Sequence, residues 1–350
     1  MNAERTLTAA VKDLAAQCGF DLVGIAPAGR SPAAETLDDW LGRGWHGQMG
    51  YMARNVGKRQ CPRRLVAGAK SVICLAVSYA PGPEQAGGPV SIARYARGRD
   101  YHKVLKARCH TLMDRIRAIE PGFAGRAFVD TAPVQERALG RQAGLGVIGL
   151  NGCLITREFG SYVLLCEIVC TLDLSPDEPI EGDCGRCGAC LEACPTGALA
   201  DGALVDARRC ISYLTMEHRG AIDAALWPKM GQALFGCDRC QAACPHNRDL
   251  RPGDPALRAR KPPLGGASVA DILTWRDDDW DHAARGSALR RASCEMVLRN
   301  AIVAAGNGAA GPDADTRALR TAIEAVARRY PPFGPMCQWA LARLGTSPAP

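Results

Sequence analysis

Eight cysteines between positions 184 and 244 constrain this chain more than any other feature. They open as Cys184-x2-Cys187-x2-Cys190-x3-Cys194-Pro195 and close as Cys237-x2-Cys240-x3-Cys244-Pro245, with Cys210 between. In a run of the first kind, three closely spaced thiolates hold three irons of one cubane, and the fourth turns away to a second cluster. Pro195 fixes the direction in which the chain leaves. A symmetric two-cluster ferredoxin would repeat the run. Here the second run lacks one member, and Cys210 is the substitute. The expected ligand sets are Cys184, Cys187, Cys190 and Cys244 for one 4Fe-4S cluster, and Cys194, Cys210, Cys237 and Cys240 for the other. Structural zinc, which also uses C-x2-C pairs, is the alternative. Four cysteines in eleven residues ending in Cys-Pro favour iron–sulfur. Two neighbouring cubanes make a wire for single electrons, so an acceptor must sit at its end.

The rest of the chain is large enough to hold that acceptor. Its 350 residues, 47 % hydrophobic, suggest two or three domains. Seventeen cysteines in a chain of this length fit reduced, metal-binding thiols better than a secreted disulfide scaffold, which is usually short. The opening MNAERTLTAAVKDLAAQCGF has no apolar core followed by a cleavage site, and no stretch has the length of a membrane span. The expectation is a cytoplasmic protein without membrane attachment. A formal charge of +7 permits a polyanionic partner without demanding one.

Periodicity predicts a helix over 3–18 and strands over 20–26 and 72–79. A loop follows at 80–89, then a helix over 101–119. A strand over 127–130 ends in Asp130; a helix over 134–143 and a strand over 162–171 follow. Strands alternating with helices predict an α/β fold. A helix over 206–217 is expected between the cysteine runs. Beyond a Pro-rich linker, helices are expected over 283–305 and 316–329, with a last one beginning near Trp339 and a frayed end at TSPAP. The expected domains are 1–175, 176–250 and 251–350. Gly144-x-Gly146-x-x-Gly149 has dinucleotide-fold spacing, but it follows a helix-like stretch and reads better as a turn.

Several motifs together carry a resemblance. Asp130-Thr131-Ala132-Pro133-Val134-Gln135-Glu136-Arg137 is one. Ala93-Arg94-Tyr95-Ala96-Arg97-Gly98-Arg99-Asp100-Tyr101-His102 is a second. Arg209-Cys210-Ile211-Ser212-Tyr213-Leu214-Thr215-Met216-Glu217, between the cysteine runs, is a third. With the cysteine array, the sequence resembles the epoxyqueuosine reductases, cobalamin-dependent iron–sulfur enzymes that complete queuosine in transfer RNA. Gly286-Ser287-Ala288, Arg299-Asn300 and Asn307 resemble the start of that family's helical, HEAT-like repeat domain. The likeness runs over roughly 10–345. The chain departs from the family at Val147 and Leu150, where an aromatic and a lysine are usual, at Cys166, and at His246.

The resemblance implies a mixed-sheet cobalamin-binding domain, a ferredoxin-like double-cluster module and a helical tail. It implies reductive removal of the epoxide oxygen of epoxyqueuosine at the wobble position of the transfer RNAs for Tyr, His, Asn and Asp. The implied protein is a monomer fed by an external low-potential electron donor. Asp130 is the implied general acid, kept protonated by burial beside the cofactor. From composition alone it would instead be a helix N-cap. Tyr95, Arg97, Asp130, Gly149, Asn151, Tyr213 and Glu217 are candidates for contact with cobalamin, and His102 either contacts it or caps a helix. Arg94, Arg97, Arg99, Lys103, Arg208, Arg209, Arg219, Arg290, Arg291 and Arg299 are candidates for phosphate contact. A cobalamin-dependent reductive dehalogenase and a ferredoxin-type carrier are the rival readings.

Overall fold

The computed structural model describes residues 3–81, 90–258, 263–308 and 316–344. Helix α1 (Ala3–Gln17) leads into strand β1 (Leu22–Pro27) and then strand β2 (Ser71–Ser78). Short strand β3 (Ser91–Ile92), helix α2 (Tyr101–Ile119), strand β4 (Gly125–Phe128), helix α3 (Glu136–Gln142) and strand β5 (Val163–Cys170) follow. β1, β2, β5 and β4 lie in that order in one sheet, and each neighbouring pair is antiparallel.

Side-chain alternation along the strands sets the layers. Ile73, Leu75 and Val77 of β2, with Cys166 and Ile168 of β5, join a core with Val11 of α1 and Leu105, Leu112 and Ile116 of α2. Val72, Cys74, Ala76 and Val169 point the other way, into a second core with Leu139 of α3. Covered on both faces, β2 is buried at every residue, which is why it reads as an unbroken apolar run. Burying one such Leu or Ile contributes about 1.5–3 kcal/mol.

Helix α2 spans the expected residues, started by Asp100, whose side chain accepts the His102 N–H at 3.1 Å. A Cβ on the preceding Gly98 would meet the Leu257 carbonyl oxygen at 2.0 Å, so only glycine allows this turn to pack against the linker. The expected strand over 127–130 stops at Phe128. Asp130 takes a left-handed φ of 55°, which turns the chain off the sheet. The glycine segment forms a small hairpin, Val147–Ile148 against Leu154–Ile155, as its reading as a turn requires.

Between the cysteine runs the expected single helix is broken. A 3-10 turn, Ala207–Arg209, and helix α4 (Ile211–Met216) flank Cys210, whose backbone is extended. Strand β6 (Ala233–Phe235) pairs in parallel with β3, tying this segment to the first half. In the tail, a 3-10 turn at Ala288–Arg291 precedes α5 (Cys294–Gly306), followed by α6 (Thr316–Arg329) and α7 (Gly334–Arg343). The helix expected from 283 therefore starts eleven residues later, where Ser293 caps it by accepting the Met296 N–H. Most of the loop expected at 80–89, and the end TSPAP, lie outside the described residues. No helix among the described residues is long and apolar enough to cross a membrane.

Candidate active site

A cavity of about 1640 Å³ opens between the sheet domain, the cysteine segment and the tail. That exceeds the usual range for drug-sized ligands, about 300–1,000 Å³. Leu37, Trp40, Met49, Val134, Ile148 and Leu150 give it apolar walls. Gln135, Gln142 and Arg59 line it as well, and Gln135 Oε1, Gln142 Oε1 and Arg59 Nε are buried there without a partner among the described residues. Unpaired buried polar atoms on an apolar wall suit a large ligand edged with amides, as cobalamin is.

One wall carries charge. Asp130, on the turn after β4, has Oδ2 3.2 Å from His102 Nε2, and His102 Nδ1 lies 2.8 Å from Asp100 Oδ1. Arg291 reaches in from the tail. Its guanidinium lies 3.8 Å from Asp130, pairs with Glu217, and donates to the Tyr51 hydroxyl at 3.0 Å. Glu136, first residue of α3, accepts the Asp130 backbone N–H at 2.7 Å. Asp130 is not the cap of α3, a position that Gln135 occupies; it is instead held by the side chain of the helix's first residue. Its side chain is 42 % exposed, toward the cavity that it lines.

Burial alone would lift the Asp130 carboxyl, but the His102 hydrogen bond and the charges of Arg291 and His102 outweigh it and hold it below the ordinary carboxylate range. This reverses the expected direction, because two cations stand where only burial was counted. Burial works against a charge on His102, yet its hydrogen bonds with Asp130 and Asp100 raise its pKa. Glu136 goes the other way: burial and then the neighbouring Asp130 charge push it up to about 8.

Of the residues expected to touch cobalamin, Tyr95, Asp130, Tyr213 and Glu217 line this cavity, whereas Arg97, Gly149 and Asn151 do not. Arg97 donates to the Ile92 carbonyl at 2.7 Å. A Cβ on Gly149 would strike Ile155, so that glycine serves the hairpin. Asn151 lines a second, smaller hollow whose wall also holds Cys184, Cys187, Cys190 and Cys244. Cys240 is in electrostatic reach of Cys237, Cys210 and Cys194. Cys153, outside the expected sets, acts on Cys240 as well, and both Cys184 and Cys210 line the large cavity. No three His, Cys, Asp or Glu among the described residues gather closely enough to share one ion. Thiolates of a cubane, each on a different iron, stand further apart.

Sequence reasoning missed Tyr51, Tyr101, Glu136 and Arg291 as parts of this wall. Glu136 had a signal, a second acid six residues beyond Asp130 across a proline. Arg291 had none that separates it from a surface arginine. Arg299, expected at phosphate, is fully buried in α5 and donates to the carbonyls of Leu214, His218 and Gly220.

A sheet-walled cavity that meets a paired four-cysteine array is the site of an iron–sulfur oxidoreductase. Residues 59–131 match the family described as "Epoxyqueuosine reductase QueG, DUF1730", and residues 183–247 match the "4Fe-4S double cluster binding domain". Among curated relatives, epoxyqueuosine reductase of Pseudomonas aeruginosa is 42 % identical over 86 % of this chain and 85 % of its own. That of Escherichia coli K12 is 36 % identical over 95 % and 88 %. Among solved structures, epoxyqueuosine reductase from Streptococcus thermophilus superposes with TM-score 0.84 at 26 % identity, covering 97 % of this chain and 91 % of that one. An epoxyqueuosine reductase solved with a tRNA-Tyr epoxyqueuosine-modified stem loop matches with TM-score 0.84 at 26 % identity, over 97 % and 90 %. A third, from Bacillus subtilis with its catalytic aspartate loop swung out of the active site, gives 0.79 at 26 % identity, over 98 % and 95 %. The chain belongs to the epoxyqueuosine reductase family.

Proposed function

We propose that this chain removes the epoxide oxygen of epoxyqueuosine in the transfer RNAs for Tyr, His, Asn and Asp, leaving the alkene of queuosine. The observation that carries the reading is the meeting, in one cavity, of a cluster cysteine, Cys210, with the charged wall around Asp130. Residues 1–175 hold cobalamin in that cavity, 176–250 hold two 4Fe-4S clusters in the cysteine sets given above, and 251–350 close the cavity from the helical side. When bound, cobalamin supplies a low-valent cobalt that attacks or reduces the epoxide.

The chain's own residues do the rest. The reaction consumes two electrons and two protons, breaks both carbon–oxygen bonds and releases water. An external low-potential donor feeds the clusters. Asp130 and His102 share one proton beside the departing oxygen, and Asp130 delivers it. A relative whose catalytic aspartate sits on a loop supports this role, since Asp130 also sits on a loop. Its left-handed backbone is a conformation that persists where function requires it. Exposed Arg99 and Lys103 meet phosphates, and the base leaves its stack to enter the cavity. The protein acts as a monomer in the cytoplasm.

A carrier of ferredoxin type needs no such cavity. The test is incubation of the cluster- and cobalamin-loaded, reduced protein with transfer RNA containing epoxyqueuosine, followed by nucleoside mass spectrometry. Loss of one oxygen is expected. Epoxyqueuosine that returns intact from fully loaded, reduced protein overturns the reading.

A further inference from the structure

Asp130 and Glu136 are neighbours on the cavity wall, joined through the Asp130 N–H and Glu136 Oε1 at 2.7 Å. Their surroundings differ. Asp130 has His102 at 3.2 Å and Arg291 at 3.8 Å. Glu136 has no ion pair among the described residues, and the adjoining Arg137 directs its guanidinium to the Gly152 carbonyl. Beneath them lies Glu167 of β5, 1 % exposed, on the sheet face that α3 covers, with Oε2 unpartnered among the described residues. The other titratable groups in reach of Glu136 are Tyr101, Cys74 and Cys166, none a cation, and His102 and Arg137, whose charges favour its ionised form but are outweighed by burial and the Asp130 charge.

Three carboxyls this close cannot all ionise. Both cations stand at Asp130, so the negative charge settles there and the two glutamates stay neutral. Burial first, then the Asp130 charge, lifts Glu136 to about 8, and burial with the Glu136 charge lifts Glu167 well above the usual range. Where neighbouring carboxyls are pushed apart in this way, one is the charged partner and the other the stored acid.

We infer that Glu136 holds the second proton of the reaction and releases it at the cavity wall. This rests on the deoxygenation proposed above. Both carbon–oxygen bonds of the epoxide break and two electrons arrive through the clusters. One proton comes from the His102–Asp130 pair and one from Glu136, the oxygen leaves as water, and solvent restores both protons. Glu167, sealed behind Glu136, keeps the local charge low.

The test is Glu136→Gln, which keeps an acceptor for the Asp130 N–H and removes the proton. Infrared titration of the cluster-loaded protein is expected to show a protonated-carboxyl band in the wild type that disappears near pH 8 and is absent from E136Q. In single turnover, the wild-type rate falls above that pH. E136Q loses this limb and runs roughly 10²-fold slower on the plateau. Glu136→Asp restores a titrating band and part of the rate, which separates proton storage from a purely structural role. A band titrating near pH 8 that survives in E136Q, or a wild-type rate in E136Q with the alkaline limb intact, overturns the inference. If wild-type protein fails to reduce epoxyqueuosine, the function proposed above fails, and the infrared arm still decides whether Glu136 stores a proton.

Discussion

Replacing Arg299 with methionine tests what holds the tail to the cluster segment. The guanidinium is completely buried and donates to the carbonyls of Leu214 at 2.6 Å, His218 at 2.7 Å and Gly220 at 2.8 Å, and to Asn300 Oδ1 at 2.9 Å. Each buried acceptor stripped of its donor costs about 1–3 kcal/mol, so the three carbonyls together cost about 3–9 kcal/mol. Two effects reduce this. Methionine brings no charge out of water, which returns several kcal/mol, and Gly220 is at the surface, where water replaces the lost donor. The Leu214 carbonyl and Asn300 remain sealed, leaving a net loss of about 2–4 kcal/mol. For a chain of this size that lowers the unfolding midpoint by roughly 3–5 °C. Thermal and urea unfolding measure the loss, and hydrogen exchange should place it in α4 and α5. Arg299→Lys should recover only part, because one ammonium cannot reproduce the planar fork. Because α4 follows directly on Cys210, R299M should also lose cluster absorbance faster in air. R299M with wild-type stability and unchanged exchange in α4 would refute the reasoning.

Three further outcomes follow from the charged wall. Asp130→Asn should keep both clusters and bind cobalamin while slowing single turnover about 10²–10⁴-fold, and an unimpaired rate would remove Asp130 from the chemistry. His102→Gln should destabilise the protein below pH 6.5 and hardly at all at pH 9. A histidine whose pKa is raised in the folded state contributes stability at low pH and loses it as pH climbs through the raised value. Unfolding midpoints at the two pH values check this. Glu167→Gln should be more stable than wild type at pH 9 and nearly equal to it near pH 4.5. The folded protein keeps the Glu167 proton that the unfolded chain gives up above its ordinary pKa, so folding grows costlier as pH rises. An identical pH dependence in both proteins would show that Glu167 is not a buried neutral acid.

The cysteine array was legible because cluster chemistry demands its spacing within one stretch of chain. Both sheet faces were legible as well, because a run like Val72–Val77 has no solvent-facing solution. Asp130 was legible through its motif, but its protonation was not. That depends on Arg291, 161 positions away in sequence, and on the rotation of the His102 ring between two aspartates. Arg299 misled for a related reason. Burial of an arginine is justified only by carbonyls gathered at the end of another helix, and a linear sequence does not display that gathering. The break at Cys210 was not legible either: the sequence suggested one helix over 206–217, and the structure interrupts it where Cys210 is extended.

Arg291 has a consequence for how the protein comes into being. The cysteines and both acids of the wall are translated before it, yet Asp130 and Glu217 acquire their shared cation only when the tail docks. Until then Asp130 has only His102 beside it, and Glu217 has no cation partner. A chain cut short before residue 291 would keep every cluster thiol and still have the wrong charge at the reacting end. Completion of the active site thus waits on a segment made after the groups whose charge it balances.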